Sequence, residues 1–161
     1  MLIKLIGALT VVLSAVATSL GLCRLFSERI RQLEGFLKLL RHTRERIACF
    51  HTPTPEIFAS FQNAALLSAG FLEPLCEHGF AEALRAARGR LLLDEEELEP
   101  LLSFAEALGG GFSEEETARC DLAIAALERA LAERREGLPR MAKLCRTLFL
   151  GAGLMLVIVL I

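Results

Sequence analysis

The sequence predicts an all-α protein: a bundle of about six helices, flanked by N- and C-terminal transmembrane helices continuous with the first and last bundle helices. Three observations predict this fold class. Both ends of the 161-residue chain are apolar. The charged middle repeats its apolar residues at spacings of three, four and seven, the period of a helix that packs on one side. Prolines and glycines interrupt this period at a few places, where helices are expected to end.

The N-terminal apolar segment is long enough to cross a bilayer. The 19 residues of Leu5–Cys23 contain no charged side chain. As a helix they would reach roughly 28 Å, close to the thickness of the hydrocarbon core. Three arginines, Arg24, Arg29 and Arg31, follow the segment closely, whereas only Lys4 precedes it. Because basic residues are retained on the cytoplasmic side, we expect the rest of the chain to lie in the cytoplasm.

A cleaved signal peptide is the alternative interpretation of this segment. Ala15-Val16-Ala17 resembles a small-residue cleavage site, but the apolar run is longer than a typical h-region and its basic n-region is weak. Cleavage before a lipid-modified Cys23 is disfavoured because Leu22 is bulkier than the small residue expected at that position. We therefore expect the segment to remain as a membrane helix.

The C-terminal apolar segment is shorter. Its uncharged run, Leu148–Ile161, has 14 residues, about 21 Å of helix. Lys143 and Arg146 can extend toward the headgroups and lengthen the span, and with Arg140 they again mark the cytoplasmic side. The expected domains are a transmembrane helix at 1–23, a cytoplasmic helical domain at 24–146 and a C-terminal transmembrane helix at 147–161.

Proline and glycine positions set the helix bounds expected in the central domain. The first helix runs from Leu2 to Phe50 and ends at a turn containing Pro53 and Pro55, which cannot continue it. Gly79 is the expected left-handed stop of the third helix, and Gly137-Leu138-Pro139 is expected to kink or briefly break the last one. The helices expected after the first are Pro55–Leu67, Ala69–His78, Phe80–Arg88, Glu95–Leu108 and one that starts after Ser113.

Capping residues and apolar periodicity indicate how these helices begin and which faces are buried. Asp94 is the expected N-cap of the fifth helix, and Ser113 with Glu116 reads as a capping box. Thr54 and Ser68 are the expected caps of the second and third helices. The residues expected to face the core include Leu33, Leu37, Leu40, Ile47, Ile57, Phe58, Phe61, Ala65, Leu98, Leu101, Leu102, Ala105, Leu108, Cys120, Ile124, Leu127 and Leu131.

Composition and motifs argue against catalysis, nucleic-acid binding and a bound cofactor. The central domain has 17 basic and 20 acidic residues, and the chain has no Trp or Tyr, so neither a basic nor a base-stacking surface is expected. The acidic runs Asp94–Glu97 and Glu114–Glu116 begin helices, where negative charge offsets the helix dipole. The glycine triplet 109–111 lacks the Lys-Ser/Thr of a phosphate loop. We predict no enzyme, no catalytic or cofactor-binding residues and no cofactor.

A zinc site is the alternative interpretation of the cysteines and histidines. Cys49 with His51 and Cys76 with His78 form two Cys-x-His pairs, and His42 adds a third imidazole. Two such pairs could hold a tetrahedral ion, but this spacing is uncommon for zinc and the pairs lie at two separate helix ends. We predict no metal site and expect the cysteines to be reduced in the cytoplasm.

Several short motifs, in order along the chain, resemble the stage III sporulation protein AB family over almost the whole length. Departures are the glycine triplet and Pro139, which bear on the lengths of the last two helices. The motifs are Ile30-Arg31-Gln32-Leu33, the turn Thr52–Glu56, Leu101-Leu102-Ser103-Phe104, Ala107-Leu108-Gly109, Lys143-Leu144, Arg146-Thr147-Leu148 and Gly151-x-Gly153-Leu154.

This resemblance implies a structural role in endospore formation. The family is encoded with proteins that build a channel between mother cell and forespore, and it is similar to the cytoplasmic domain of the type II secretion platform protein, the F component. The implied partners are a secretion-type ATPase and other stage III membrane proteins, and the implied location is the mother-cell membrane around the forespore. No catalytic residues carry over.

The leading hypothesis is therefore a platform-like membrane subunit of a secretion-type channel complex. Its contact surface is expected at the acidic starts of the fifth and sixth helices and at the proline-rich turn. The alternatives are a generic membrane-anchored helical adaptor, unrelated to spores, and a membrane-anchored metal-binding protein.

Overall fold

A computed structural model of the chain describes residues 2–50, 53–108 and 113–160. These ranges contain helices joined by turns and no strand, which confirms the predicted all-α class. The described part has seven helices where about six were expected. They are α1 (Leu2–Phe50), α2 (Thr54–Ala59), α3 (Ala64–Ser68), α4 (Leu72–His78), α5 (Phe80–Ala87), α6 (Glu95–Ala107) and α7 (Ser113–Leu160).

The chain divides into two compact units. One, called the bundle below, is Glu28–Glu133; the other, called the terminal unit, comprises the residues up to Ser27 and those from Arg134 onward. Since α1 and α7 are both long, each contributes residues to both units. Among the described residues, no helix has a stretch that is long and apolar enough to cross a membrane.

Phenylalanines from three helices and from the N-cap of α4 meet in the core of the bundle. The ring centres of Phe36 and Phe71 lie 4.9 Å apart, and Phe80 lies 5.5 Å from Phe71 and 5.4 Å from Phe104. All three pairs are edge-to-face, the arrangement that aromatic quadrupoles favour. The predicted inward face of α7 is confirmed: Cys120, Ile124, Leu127 and Leu131 are all buried in this core.

The predicted second helix, Pro55–Leu67, is wrong, because the structure has two short helices there. α2 ends at Ala59, and Asn63 starts α3 as its N-cap. The Asn63 Oδ1 atom accepts hydrogen bonds from the backbone N–H groups of Ala65 (3.0 Å) and Leu66 (3.1 Å). An N-cap satisfies donors that otherwise lack a partner, so this asparagine begins a helix where the sequence indicated a helix interior.

Two of the expected N-caps, Thr54 and Ser68, are also wrong. Thr54 is already the first residue of α2, after Pro53. Ser68 ends α3 instead of starting the next helix, and its hydroxyl donates to the carbonyl of Ala65 at 2.9 Å. The next helix starts at Leu72, not at Ala69, because Gly70 has a φ of 67° and turns the chain. A side chain other than glycine rarely adopts this conformation.

Predictions for the following helices hold closely. Gly79 separates α4 from α5 with a φ of 84°, as expected of a glycine stop. α6 starts at Glu95 behind a capping box formed by Asp94 and Glu97. The Glu97 carboxylate accepts from the backbone N–H of Asp94 at 2.9 Å, so the predicted cap is confirmed.

The predicted kink or break at Gly137-Leu138-Pro139 does not interrupt α7, which is helical from Ser113 to Leu160. One interior proline removes a single backbone hydrogen bond and costs about 3 kcal/mol, and the remaining bonds of a 48-residue helix outnumber it greatly. The glycine triplet 109–111 lies outside the described residues, as does the side chain of the expected cap Ser113.

Candidate interaction surface

A charged group links α1 to the start of α6 within the bundle. The Arg29 guanidinium donates to Glu97 Oε2 from Nη2 (2.8 Å) and from Nε (3.2 Å), and Nη2 also pairs with the Asp94 carboxylate. Partial burial lowers the pKa of Arg29, but its hydrogen bonds to Asp94 and Glu97 outweigh this and raise the pKa above its ordinary value. Arg29 therefore stays charged, and its partners hold it in place.

A second polar contact joins α1 to the segment before α6. Gln32 is buried, and its Oε1 atom accepts a hydrogen bond from the backbone N–H of Leu92 at 2.7 Å. Gln32 belongs to the Ile30–Leu33 motif named above, and Leu33 beside it is in the core. This motif thus serves two purposes: Leu33 packs in the bundle and Gln32 holds the chain between α5 and α6.

The acidic start of α6, part of the expected contact surface, also makes internal contacts, although Asp94, Glu95 and Glu96 remain exposed. Asp94 and Glu97 face Arg29, and Glu95 Oε1 accepts from Arg88 Nη2 at 2.5 Å. Sequence reasoning missed this use, because Arg29 lies 68 positions before Glu97. From the sequence alone, acidic residues at a helix start that pair with an arginine of the same chain cannot be distinguished from acidic residues open to a partner.

Exposed carboxylates also lie on α2 and α4 of the bundle, in a stretch without basic residues. Between Arg46 and Arg85 the sequence has no lysine or arginine, and Glu56, Glu73 and Glu77 of this stretch are exposed. Counted over residues 28–133, the bundle has 11 basic and 19 acidic residues, a net charge of −8. A net negative charge of this size suits a basic partner, because opposite charge steers association.

The proline-rich turn, residues 52–56, ends at one of these carboxylates, Glu56. Pro53, Pro55 and Glu56 are exposed, whereas His51 and Thr52 lie outside the described residues. Ile57 and Phe58 directly after the turn are buried in the core. The turn is therefore presented at the surface by a short helix whose inner face is anchored.

Ion pairs between α1 and α7 define another side of the bundle. Arg41 Nη2 donates to Glu128 Oε1 and Arg44 Nε donates to Asp121 Oδ1, both at 2.5 Å. The bonds to Asp121 raise the pKa of Arg44 above its ordinary value. Exposed pairs such as these contribute little to stability, but they align the two long helices in the bundle.

An open groove of about 580 Å³ lies between α1 and the start of α3. Gly35 and Ala65 are small residues of its lining. The charged residues of the lining include acidic Glu28 and basic Arg31 and Lys38. Arg31 and Glu28 already pair with each other at 3.4 Å. The groove is thus polar and close to neutral, without the apolar walls that most small-molecule sites have.

The cysteines and histidines that suggested zinc, as far as the structure describes them, have separate surroundings. Cys49 and Cys76 are exposed, and the Cys76 thiol lies 3.8 Å from the carbonyl of Phe58. His42 Nε2 lies 3.1 Å from the Ser60 hydroxyl, and His78 lies beside Glu77. Within the described ranges no three His, Cys, Asp or Glu side chains are placed to hold a metal ion; His51 lies outside them.

Comparison with known proteins gives one family and one curated relative. The family model described as stage III sporulation protein AB matches residues 4–161. The chain is 25% identical to stage III sporulation protein AB of Bacillus subtilis (strain 168) over 170 aligned positions, which cover 99% of each protein. No solved structure has significant similarity to the chain.

Proposed function

Because this chain belongs to the stage III sporulation protein AB family, we propose that it serves endospore formation as a structural, non-catalytic membrane subunit. The observation that carries the proposal is the family match over residues 4–161, nearly the full length. Both the apolar ends and the helical bundle fall within that match, so the proposal concerns the whole chain and not one fragment of it.

The proposed membrane anchors are the two apolar ends, Leu5–Cys23 and Thr147–Ile161. Support comes from the sequence: the first segment has 19 residues without a charge between Lys4 and Arg24, enough for a bilayer. Basic residues on the inner flanks of both segments favour a cytoplasmic bundle. The proposed location is the mother-cell membrane around the forespore.

The proposed role of the bundle is that of a platform for other subunits of a secretion-type channel complex. Its net charge of −8 and its exposed carboxylates on α2 and α4 support contact with basic surfaces of partners. We propose a secretion-type ATPase and other stage III membrane proteins as those partners. The polar contacts of Arg29 and Gln32 hold α6 against α1, and this gives such a platform a fixed shape.

Gene deletion in the spore-forming host tests the sporulation role. We expect the deletion strain to stop after engulfment and to yield few heat-resistant spores, and we expect the wild-type gene to restore them. A matched pair of variants tests the bundle: Glu73→Lys/Glu77→Lys reverses exposed charge on α4, whereas Glu133→Lys/Glu136→Lys reverses exposed charge on α7 away from the expected contact surface.

If α2 and α4 form the partner surface, spore yield falls in the α4 variant and the α7 variant keeps most of it. Equal yields from both variants, at equal protein levels, contradict this surface but leave the sporulation role intact. Normal spores from the deletion strain contradict the sporulation role itself.

A further inference from the structure

Three exposed residues of the bundle lie in a line along α1: Lys38, Glu45 and Cys49. Spacings of seven and four place them on one side of a helix with 3.6 residues per turn. Neither Lys38 nor Glu45 has an ion-pair partner among the residues that the structure describes. This line, called the α1 stripe below, therefore presents a positive charge, a negative charge and a small thiol, in that order.

A matching line of exposed residues lies along α7: Leu122, Arg129 and Glu133. In the described part of the chain, Arg129 and Glu133 also make no ion pair. This line, called the α7 stripe, presents an apolar group, a positive charge and a negative charge. Each stripe spans eleven residue steps, about 16 Å of helix, so the two have equal lengths.

The ion pairs between α1 and α7 fix the direction in which the stripes face. Arg41 pairs with Glu128 and Arg44 pairs with Asp121, so residue numbers fall along α7 as they rise along α1, and the two helices run antiparallel. At about 100° per residue, each stripe lies roughly a quarter turn from the ion-pair residues of its own helix. Because the helices run in opposite directions, both quarter turns lead to the same side of the helix pair.

We infer that two copies of the chain form a closed dimer in which the α1 stripe of each copy packs antiparallel on the α7 stripe of the other. A twofold axis makes the two contacts equivalent, so every interaction occurs twice. The axis runs along the helices, and both α1 helices then point the same way, as the proposed anchors in one membrane require. The dimer goes beyond the proposed function and can be tested separately from it.

The charges along the stripes are complementary in this arrangement. Lys38 of one copy faces Glu133 of the other, and Glu45 faces Arg129. A dimer in which each stripe packed on its own equivalent would instead bring Lys38 to Lys38 and Glu45 to Glu45, and such like charges repel. The order of charges therefore favours the pairing of α1 with α7.

The remaining ends of the stripes form an apolar contact. Leu122 is 73% exposed in a single copy, and in the dimer it lies over the small, exposed Cys49 of the other copy. Covering this leucine removes apolar surface from water, which favours association. The same contact gives an exposed leucine of the bundle a partner that the single chain does not supply.

A charge exchange in the full-length chain tests the dimer. The protein mass of particles in a neutral detergent is measured by size-exclusion chromatography with light scattering, and we expect the wild type to have twice the mass of one chain. Glu45→Arg and Arg129→Glu should each be monomeric at the same concentration, because each variant places like charges opposite one another.

An equal mixture of these two variants should regain the dimer. The new arginine of one variant then faces the new glutamate of the other, and the unchanged Arg129 and Glu45 face each other as well. Variants that had failed to fold could not recover a dimer on mixing, so this step separates a lost contact from a lost fold.

Matched variants control for charge and test the apolar contact. Glu99→Arg and Arg90→Glu make the same charge changes at exposed positions away from both stripes and should leave the dimer intact. Leu122→Ala should weaken the dimer about tenfold. In the dilute, monomeric chain the same substitution should leave unfolding unchanged, because no dimer then stabilises the fold.

Each contrary result overturns a definite part of the inference. A wild-type chain that is monomeric at every concentration overturns the dimer. A dimer that persists in both single charge variants overturns its assignment to the two stripes, and a mixture that stays monomeric overturns the pairing of α1 with α7. Since these measurements do not involve spore formation, all three results leave the proposed function unchanged, and normal spores from the deletion strain leave the dimer unchanged.

Discussion

Glu97 receives two hydrogen bonds from Arg29 across 68 positions of the chain, from Nη2 at 2.8 Å and from Nε at 3.2 Å. Only 3% of the Glu97 side chain and 15% of the Arg29 side chain are exposed. A buried ion pair adds little net stability over apolar groups of the same size, but loss of one partner leaves a charge without compensation. We therefore expect the pair to select one packing of α6 on α1.

Loss of the Arg29 charge alone should lower the free energy of unfolding strongly, whereas loss of the charges of both Arg29 and Glu97 should lower it less. Arg29→Met leaves the Glu97 carboxylate buried beside an apolar chain, and we expect the free energy of unfolding to fall by about 3 kcal/mol. Arg29→Met/Glu97→Gln should recover much of that loss, because the neutral amide needs no opposite charge and its oxygen can still accept from the backbone N–H of Asp94. Urea unfolding of the full-length variants measures both. Arg85→Met, which breaks an exposed pair with Glu82, is the control and should cost less than about 1 kcal/mol. A similar small loss for Arg29→Met would show that the pair is not buried in solution.

Substitution by alanine should change the free energy of unfolding in opposite directions at two glycines of the long helices. A Cβ atom on Gly35 would lie 3.0 Å from both Asn63 Oδ1 and Leu66 Cγ, whereas one on Gly137 would meet nothing within 4 Å. Gly35→Ala requires the buried side chain of Leu66 and the capping side chain of Asn63 to shift, and we expect it to destabilise the chain by about 1–3 kcal/mol. Gly137→Ala should stabilise it by up to about 1 kcal/mol, the gain in helix propensity. Stabilisation by Gly35→Ala would contradict the close contact between α1 and α3.

Two leucines five positions apart on α7 test its inward face. Leu127 is 1% exposed and Leu122 is 73% exposed. Leu127→Ala should lower the free energy of unfolding by about 2–5 kcal/mol, because it removes buried methyl groups and leaves a cavity. Leu122→Ala should change it by less than about 0.5 kcal/mol. Equal losses in urea unfolding would mean that the helix is rotated about its axis.

The thiol of Cys120 should resist modification and make stability depend on alkaline pH. Burial raises the pKa of this thiol to about 12 from an ordinary 9.0, and the negative charges of Asp121 and Glu116 add to the shift. Above about pH 9 the unfolded chain loses this proton while the folded chain retains it, so stability should fall by about 1.4 kcal/mol per pH unit up to about pH 12. Below pH 9 the group should have no effect.

Peptide mapping after iodoacetamide treatment and unfolding at several pH values check this behaviour. In the folded chain, exposed Cys49 and Cys76 should react while Cys120 does not. Cys120→Ala should remove its share of the alkaline slope. Rapid modification of Cys120 in the folded chain would contradict its burial.

The parts of the fold that depend on residues close together in the sequence were predictable. The bounds of α1, the inward face of α7 and the cap at Asp94 follow from local periodicity, prolines and capping chemistry. The break between α2 and α3 was missed because Asn63 as a helix start resembles a polar residue on a helix surface.

Contacts between distant segments were not predictable in this way. Neither Arg29 nor Gln32 has a local sign of its partner, because Glu97 and the backbone of Leu92 lie 68 and 60 positions away. The acidic run at the start of α6 therefore gave no sign that Glu97 is buried against Arg29 while Asp94, Glu95 and Glu96 remain exposed.

Protease accessibility of the bundle in intact cells tests the proposed arrangement most directly. An epitope tag is inserted after Gly89, an exposed position between α5 and α6, and sporulating cells are treated with protease before and after permeabilisation. Two membrane anchors with cytoplasmic flanks predict that the tag survives in intact cells and is lost only after the membrane is opened. Loss of the tag from intact cells, with a cytoplasmic marker protein still uncut, would contradict the account.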